Sequence, residues 1–450
     1  MPTELDRFIR LVRAQRGAFF AHGPPITVAH APGWVELMGG AAAVGGALAL
    51  AWPLGSGSFV ALQPNAEAVL AVQEVGGAAM SLPLSALVTA DGAPCSYDEA
   101  AAYLARVPAP VRLAGAMWLA LAREEFARCA GGARLLVRPN PTPGAQVGMA
   151  AALAQAMVAA YHLRLAPREL ALTVHVGLQR ILGNDPGVLG PLVGIAAHSS
   201  ALLLVHQQPA WIWGELHLPP GTTLWAVVLG QGQDPATLQH LRVASQIAYR
   251  LAATTLGLSQ PQADAQWLGY LSNLGTAHYE ARIRDTLPVT LSGAEFLAKH
   301  TPPPGLVIEP ERNYPLRAAA SLAIEEHLRA RMVAALLRAA ASKTQREEDL
   351  QLVGEIMARS HGGQRAAGLG DPRADNLVAQ LAHAGSAQGI YGARASVATS
   401  GATLVVLGRS EAEADLHSLI TTYGRKARLA VTLFGGSSAG AASAGTYSEA

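Results

Sequence analysis

The residues best placed to do chemistry lie around one loop. Pro139-Asn140-Pro141-Thr142-Pro143-Gly144 follows a short apolar strand, Arg134–Val137, and opens into an alanine-rich helix running to about His162. A strand, a glycine loop and a helix in that order turn free backbone N–H groups and the positive end of a helix dipole toward one point, as a phosphate cradle requires. Pro143, Gly144, Ala145, Gln146, Val147 and Gly148 are the candidate cradle residues. The same run is also ordinary turn chemistry before a helix, and both readings stay open. Two acids lie near glycine-rich segments. Glu36 is either a ligand contact or a solvated or paired acid, and Asp185, in Gly183-Asn184-Asp185-Pro186-Gly187, is either a general base or a turn residue. The 14 histidines show no compact metal spacing, and Cys95 and Cys129 alone build neither a zinc site nor a disulfide framework, so no metal site is expected. Gly187-Val188-Leu189-Gly190 and Gly230-Gln231-Gly232-Gln233 are too irregular for dinucleotide loops. Trp211 and Trp213 alternate as on a half-buried strand, which favours packing over a sugar-stacking platform.

The elements that must position these residues follow from periodicity. Ile26–His30, Ala47–Ala51, Phe59–Leu62 and Ala68–Val72 read as strands bounded by Gly, Pro and Asn. Val111–Cys129 has the 3.6-residue spacing of a helix. Strands are expected at Ala201–His206 and Leu224–Leu229, then a helix capped by Asp234 with Pro235 at its first position. The chain from Ala263 to Ala384 is mostly helical in pattern. A strand (Ala402–Leu407), a helix (Glu411–Tyr423) and a strand (Leu429–Leu433) follow, with a Gly/Ala/Ser tail from about 435 expected to be flexible. The expected division is 1–205 and 206–450, with strands open to exchange between the halves.

Composition bounds the function. Of 450 residues, 50% are hydrophobic and 14% charged, against about 25% charged in a typical domain. Such a chain can bury a sizeable core and is not disordered. A net charge of +1 gives nucleic acid no electrostatic footprint. The apolar run from Leu37 to Asn65 is interrupted by Gly39, Gly40, Gly45, Gly46, Pro53, Gly55 and Gly57, which suits strands and turns better than a membrane span. The N-terminal MPTELDRFIRLVRAQR mixes acids into an amphipathic pattern with no apolar core after it, unlike a signal peptide. A cytoplasmic protein with no membrane or nucleic-acid partner is expected.

One family collects these pieces. Ala31-Pro32-Gly33-Trp34-Val35-Glu36-Leu37-Met38-Gly39-Gly40, followed by Gly46-Ala47-Leu48-Ala49-Leu50, resembles the first motif of the GHMP kinases, in the L-arabinokinase and galactokinase branch. Tyr161–Leu172, Tyr270–Leu274, Gly293–Leu297, Ser360-His361, Gly389–Arg394 and Phe434–Ser438 resemble further landmarks in the same order, over some 400 residues. The resemblance implies an α+β, two-domain fold, with a ribosomal-S5-like N-terminal half and a ferredoxin-like C-terminal half carrying extra helices. It also implies Mg·ATP as phosphoryl donor and a sugar as acceptor.

The motifs that carry that family's chemistry are altered here. The first-motif arginine is Trp34, an acid position reads Gly40, and the sugar-binding Asp-Tyr pair is Ala43-Val44, of which only Glu36 keeps an acid. Alanine cannot accept a sugar hydroxyl's hydrogen bond. In the second motif, Gly144 and Val147 hold, while the serines that would serve Mg²⁺ and phosphate read Gly148, Met149 and Ala150. The aspartate base position is Gly190, with Asp185 five residues earlier as a candidate substitute. The third motif keeps Gly392, Arg394 and Gly401 but reads Val397, Ala398 and Ala402 at other glycine positions, and Val228-Leu229-Gly230 replaces Asp-Ser-Gly. A lost base costs about 10²–10⁴ in rate and each lost electrostatic stabiliser on the order of 10²–10³. From a kinase turnover of about 1–100 per second, the combined losses predict less than about one event per hour. The expected protein is therefore a pseudokinase that binds a sugar, a nucleotide or a protein partner such as an active homologue. The alternative is an active sugar 1-kinase of divergent specificity that uses Mg·ATP, with Asp185 or Glu36 as base.

Overall fold

The computed structural model describes residues 3–125, 131–185, 187–208, 210–230, 235–303, 306–342, 346–397 and 402–449. Its contacts fall into two compact units. One comprises 1–34, 53–201 and 435–450; the other comprises 35–52 and 202–434.

In the first unit, helix α1 (Glu4–Ala14) starts at a capping box in which Thr3 and Asp6 bond reciprocally. It buries Phe8, Ile9 and Val12. Strands β1 (Ile26–Met38), β2 (Leu48–Asn65), β3 (Val69–Glu74), β4 (Ala79–Pro83) and β5 (Gly132–Arg138) form most of its sheet, in the order β1-β2-β5-β3-β4. β2 with β5 and β3 with β4 pair antiparallel, and β3 with β5 pairs parallel. Phe8, Val12 and Phe20 cover one face over Ile26, Val28, Phe59, Ala61 and Leu136. The His30 ring lies tilted against that of Phe59, 4.5 Å between centroids, and burial, with Arg138 adding to it, pushes the imidazole pKa down to about 4. Helices α2 (Tyr97–Leu104), α3 (Ala109–Glu124), α4 (Ala145–Ala160), α5 (Pro167–Val176) and α6 (Leu189–Ala196) complete the unit.

Two sequence expectations are corrected here. The strand read as two pieces is one, β2, continuing through Pro53, Gly55 and Gly57. Glycine is required because the backbone passes close by: a Cβ on Gly57 would lie 2.1 Å from Ala31 O, and one on Gly55 2.8 Å from Gly435 O. The tail expected to be flexible is structured. Ser438 Oγ donates to Leu54 O at 2.9 Å, Ser443 Oγ donates to Ala196 O, and Ala441 is buried. Tyr447–Glu449 then pairs antiparallel with Ile26–Val28, and Glu449 binds Arg13 at 2.7 Å. Small residues permit this close packing: a Cβ on Gly440 would lie 2.6 Å from the backbone of Ile195.

In the second unit, Leu48–Ala51 of β2 pairs with β6 (Ala201–His206), which is joined in turn by β7 (Trp211–His217). A separate sheet holds β8 (Thr222–Val228) with strands Ile390–Ala395, Thr403–Arg409 and Thr432–Phe434. Taking these four in chain order, their lateral order is 2-3-1-4 and every pair is antiparallel. That is the ferredoxin-like split βαβ topology expected from the resemblance. The insertion between β8 and Ile390–Ala395 is helical: α7 (Pro235–Thr255), then Leu316–Ser342, Arg346–Ala366 and Pro372–Ala384 among others. Helix Arg346–Ala366 crosses Ile390–Ala395 closely, for a Cβ on Gly354 would fall 1.8 Å from Tyr391 O. Asp234, expected as the cap of α7, lies outside the described residues.

Candidate functional site

The loop before α4 folds as its sequence suggests. Gly144 caps α4 with φ of 72°, a left-handed conformation that favours glycine, and no side chain caps the helix. Ala145 N donates to Thr142 O and Gly148 N to Gly144 O. Those two donors are thus spent on the loop's own carbonyls rather than left free for a phosphate, and a side chain packs against Gly144.

That side chain is Trp34. Its backbone N donates to Pro143 O at 3.0 Å, which pins β1 to the loop. The indole is 1% exposed. It lies against both glycines of interest: a Cβ on Gly144 would fall 2.3 Å from Nε1, and a Cβ on Gly190 would fall 2.8 Å from Cζ2. The residues that the resemblance assigns to the first motif, the phosphate loop and the base thus meet at one aromatic ring. Among the described residues the ring's Nε1–H has no partner, and neither has the buried Thr142 Oγ1 of the loop. Gly33 is glycine for the same crowding, since a Cβ there would lie 2.5 Å from Thr142 Oγ1.

Neither Trp34 nor Gly190 brings to this place a group that takes a proton. An indole is a neutral donor without an acceptor lone pair. Gly148, Met149 and Ala150 carry no hydroxyl and are buried, so the three positions that the resemblance assigns to Mg²⁺ and phosphate offer no side-chain oxygen. Gly190 lies in the first turn of α6, which is buried from Leu189 to Ile195. The residues present do not fit a Mg²⁺-bound triphosphate. Among the described residues, no group of three His, Cys, Asp or Glu is placed to hold a metal ion.

Asp185 is in a turn. Its carboxylate accepts from Gly187 N at 3.1 Å and from Gln179 Nε2 at 2.9 Å, with His175 Nδ1 3.9 Å away. This is an Asx turn, and the carboxylate is engaged in holding it. Asn184, next to it, donates to the Gln146 side chain and ties the turn to the start of α4.

The other candidates belong to a buried polar network in the second unit. Glu36 is fully buried. Ser396 Oγ donates to its Oε2, and Glu36 N donates to Ser396 Oγ at 3.1 Å. The solvated reading of Glu36 is thereby replaced by a paired one. Gly40 is glycine because Glu36 lies over it, 2.6 Å from where a Cβ would stand. Ala43 lies half-buried in the short helical turn Ala41–Gly45. Arg394 is 0% exposed and gives Nη1 to Leu37 O at 2.9 Å and to Glu326 Oε1 at 3.1 Å. Gln364 turns its amide oxygen to Arg394 Nη2. Gly392 is a packing glycine, with a Cβ there meeting Gly354 Cα at 2.6 Å. Gly401, with Ala398, Thr399 and Ser400, lies outside the described residues.

Sequence reasoning missed Glu326. Its two oxygens accept from Ser360 Oγ at 2.7 and 2.8 Å, and Oε1 also accepts from Gly39 N at 3.1 Å. The signal was available: residue 326 is four from both Leu322 and Ala330 on the buried face of helix Leu316–Ser342. Beside it, His361 Nδ1 accepts from Ala395 N, and Nε2 lies 3.0 Å from Asp375 Oδ1. Burial lowers the His361 pKa, against the opposing pull of Asp375. Trp211 and Trp213 are on an exposed strand face, 58% and 39% exposed, with His206 stacked 5.3 Å from Trp211.

Comparison with known proteins agrees with this frame. Residues 332–424 match the family described as GHMP kinases C terminal. L-arabinokinase of Arabidopsis thaliana is 28% identical over 95% of this chain, which spans 47% of that protein, about half its length. Among solved structures, Lactococcus lactis galactokinase complexed with galactose aligns with a TM-score of 0.68 at 13% identity, covering 96% of this chain and 99% of that one. A mevalonate kinase aligns at 0.52 and 10% identity, covering 91% and 99%. At these identities the two structures speak for the fold alone.

Proposed function

We propose that this GHMP sugar kinase-like chain is a binding module on a kinase frame, which recognises a ligand or a protein partner without transferring a phosphoryl group. The observation that carries this reading is the Trp34 indole, packed against Gly144 where the phosphates would be cradled and against Gly190 where the base would stand. A buried aromatic ring at that point removes the base, the cation and the space together. Asp185, the substitute base of the active-kinase alternative, is engaged in its own turn, and Glu36 is fully buried under Ser396.

The kinship with L-arabinokinase and galactokinase makes a sugar the first ligand class to test and an active homologue the first partner. No described helix is long and apolar enough to cross a membrane. Thermal-shift titration tests the reading. Mg·ATP is expected to leave the melting temperature unchanged through the micromolar range, whereas a saturating rise there would show that Trp34 does not close the nucleotide site and would remove the observation on which the reading rests.

A further inference from the structure

We infer that the first unit carries a separate site for a small carboxylate with a flat apolar body, built around Arg134. A cavity of about 420 Å³ opens between the loop 17–22 and the sheet, within the size range of small-molecule sites. Arg134, Ala71, Phe19 and His22 are among the residues that line it, and the lining holds no acid.

The sheet sets the guanidinium there. Arg134 stands on β5 opposite Gln63 of β2 and Ala71 of β3. Gln63, 1% exposed, fixes the loop overhead: its Oε1 accepts from Ala21 N at 2.8 Å, and its Nε2 donates to Ala21 O and Pro24 O. The loop turns at Gly17, whose φ of 80° favours glycine and whose missing Cβ leaves room for the His22 ring. Arg138, four residues on, pairs with Glu4 at 3.3 Å, whereas the Arg134 side chain has no hydrogen-bond or ion-pair partner among the described residues.

A half-buried guanidinium without an acid gives up hydration and gains no counter-charge in return. Its planar fork matches a carboxylate in a bidentate pair, which is shorter and stronger than a neutral hydrogen bond. Phe19 and Ala71 supply an apolar wall for a ring carried on that carboxylate. None of these residues belongs to the loop before α4, to α6 or to the buried Glu326 network, so the site stands or falls independently of the phosphoryl-transfer question.

Calorimetric titration with benzoate, benzamide and inorganic phosphate tests it. Benzoate is expected to bind with a Kd on the order of 1 mM, with benzamide and phosphate each at least about tenfold weaker. Arg134→Gln is expected to weaken benzoate about tenfold, and Arg134→Lys, a point charge without the fork, by an intermediate factor. Equal binding of benzoate and benzamide, phosphate binding as tightly as benzoate, or no heat with benzoate would each overturn the proposal. The comparison of the three probes on the unmodified chain decides it even if Arg134→Gln does not fold.

Discussion

Replacing Arg394 by Met is expected to cost about 3–5 kcal/mol of stability, because it takes from the buried Glu326 carboxylate its fully buried cation and leaves it Arg329, whose Nη1 stands 3.6 Å from Oε2. Arg394 is 0% exposed and Glu326 1%, and their 3.1 Å contact is reinforced by Ser360 and Gly39 on the acid and by Leu37 O and Gln364 on the guanidinium. The melting temperature should fall by roughly 10 °C. Arg394→Met with Glu326→Leu should recover most of the loss, since removing both charges removes the desolvation cost as well. Urea denaturation of the single and double variants measures this. A loss below about 1 kcal/mol in the single variant, as for an exposed pair, would show that the pair is not what holds these strands and helices in place.

Placing an aspartate at residue 190, where the resemblance expects the base, should destabilise the protein and bring no activity. A Cβ at residue 190 meets the Trp34 ring at 2.8 Å, and a ring that packs against Gly144 as well has nowhere to move. Overpacking of this kind costs about 1–3 kcal/mol, and burying the carboxylate beside it adds to that. Trp34→Ala alone is expected to cost about 3–5 kcal/mol through the cavity it leaves. The double variant should be more stable than the sum of the two losses by more than about 1 kcal/mol, because the cavity accepts the aspartate. Additive losses would mean that Trp34 and residue 190 do not compete for one space.

Much of the frame is legible in the residues alone, and the limits have physical causes. The helix start at Ala145 follows from a Pro/Gly loop meeting an alanine-rich run, and β6 from the apolar stretch Ala201–His206. The 2-3-1-4 sheet could be anticipated only through resemblance, because pairing order depends on contacts hundreds of residues apart. The continuity of β2 was hidden because Pro53, Gly55 and Gly57 punctuate most sequences, yet here the glycines make room for passing backbone. The tail misled for a related reason: a composition poor in large side chains describes a loose segment and a tightly packed one equally well. At the site, the loss of Arg, Ser and Asp could be read position by position. The way Trp34 accounts for two of those losses at once could not, because nothing in the spacing of residues 34, 144 and 190 says that they meet. Glu36 was a neighbour case, an acid whose burial under Ser396 depends on a residue 360 positions away.

The most direct test is product formation. Purified protein incubated with Mg·ATP and a panel of pentoses and hexoses is predicted to form sugar phosphate at less than about one event per hour, with Asp185→Asn indistinguishable from the parent chain. A sugar phosphate accumulating at about 1 per second or faster, and lost in Asp185→Asn, would contradict the account.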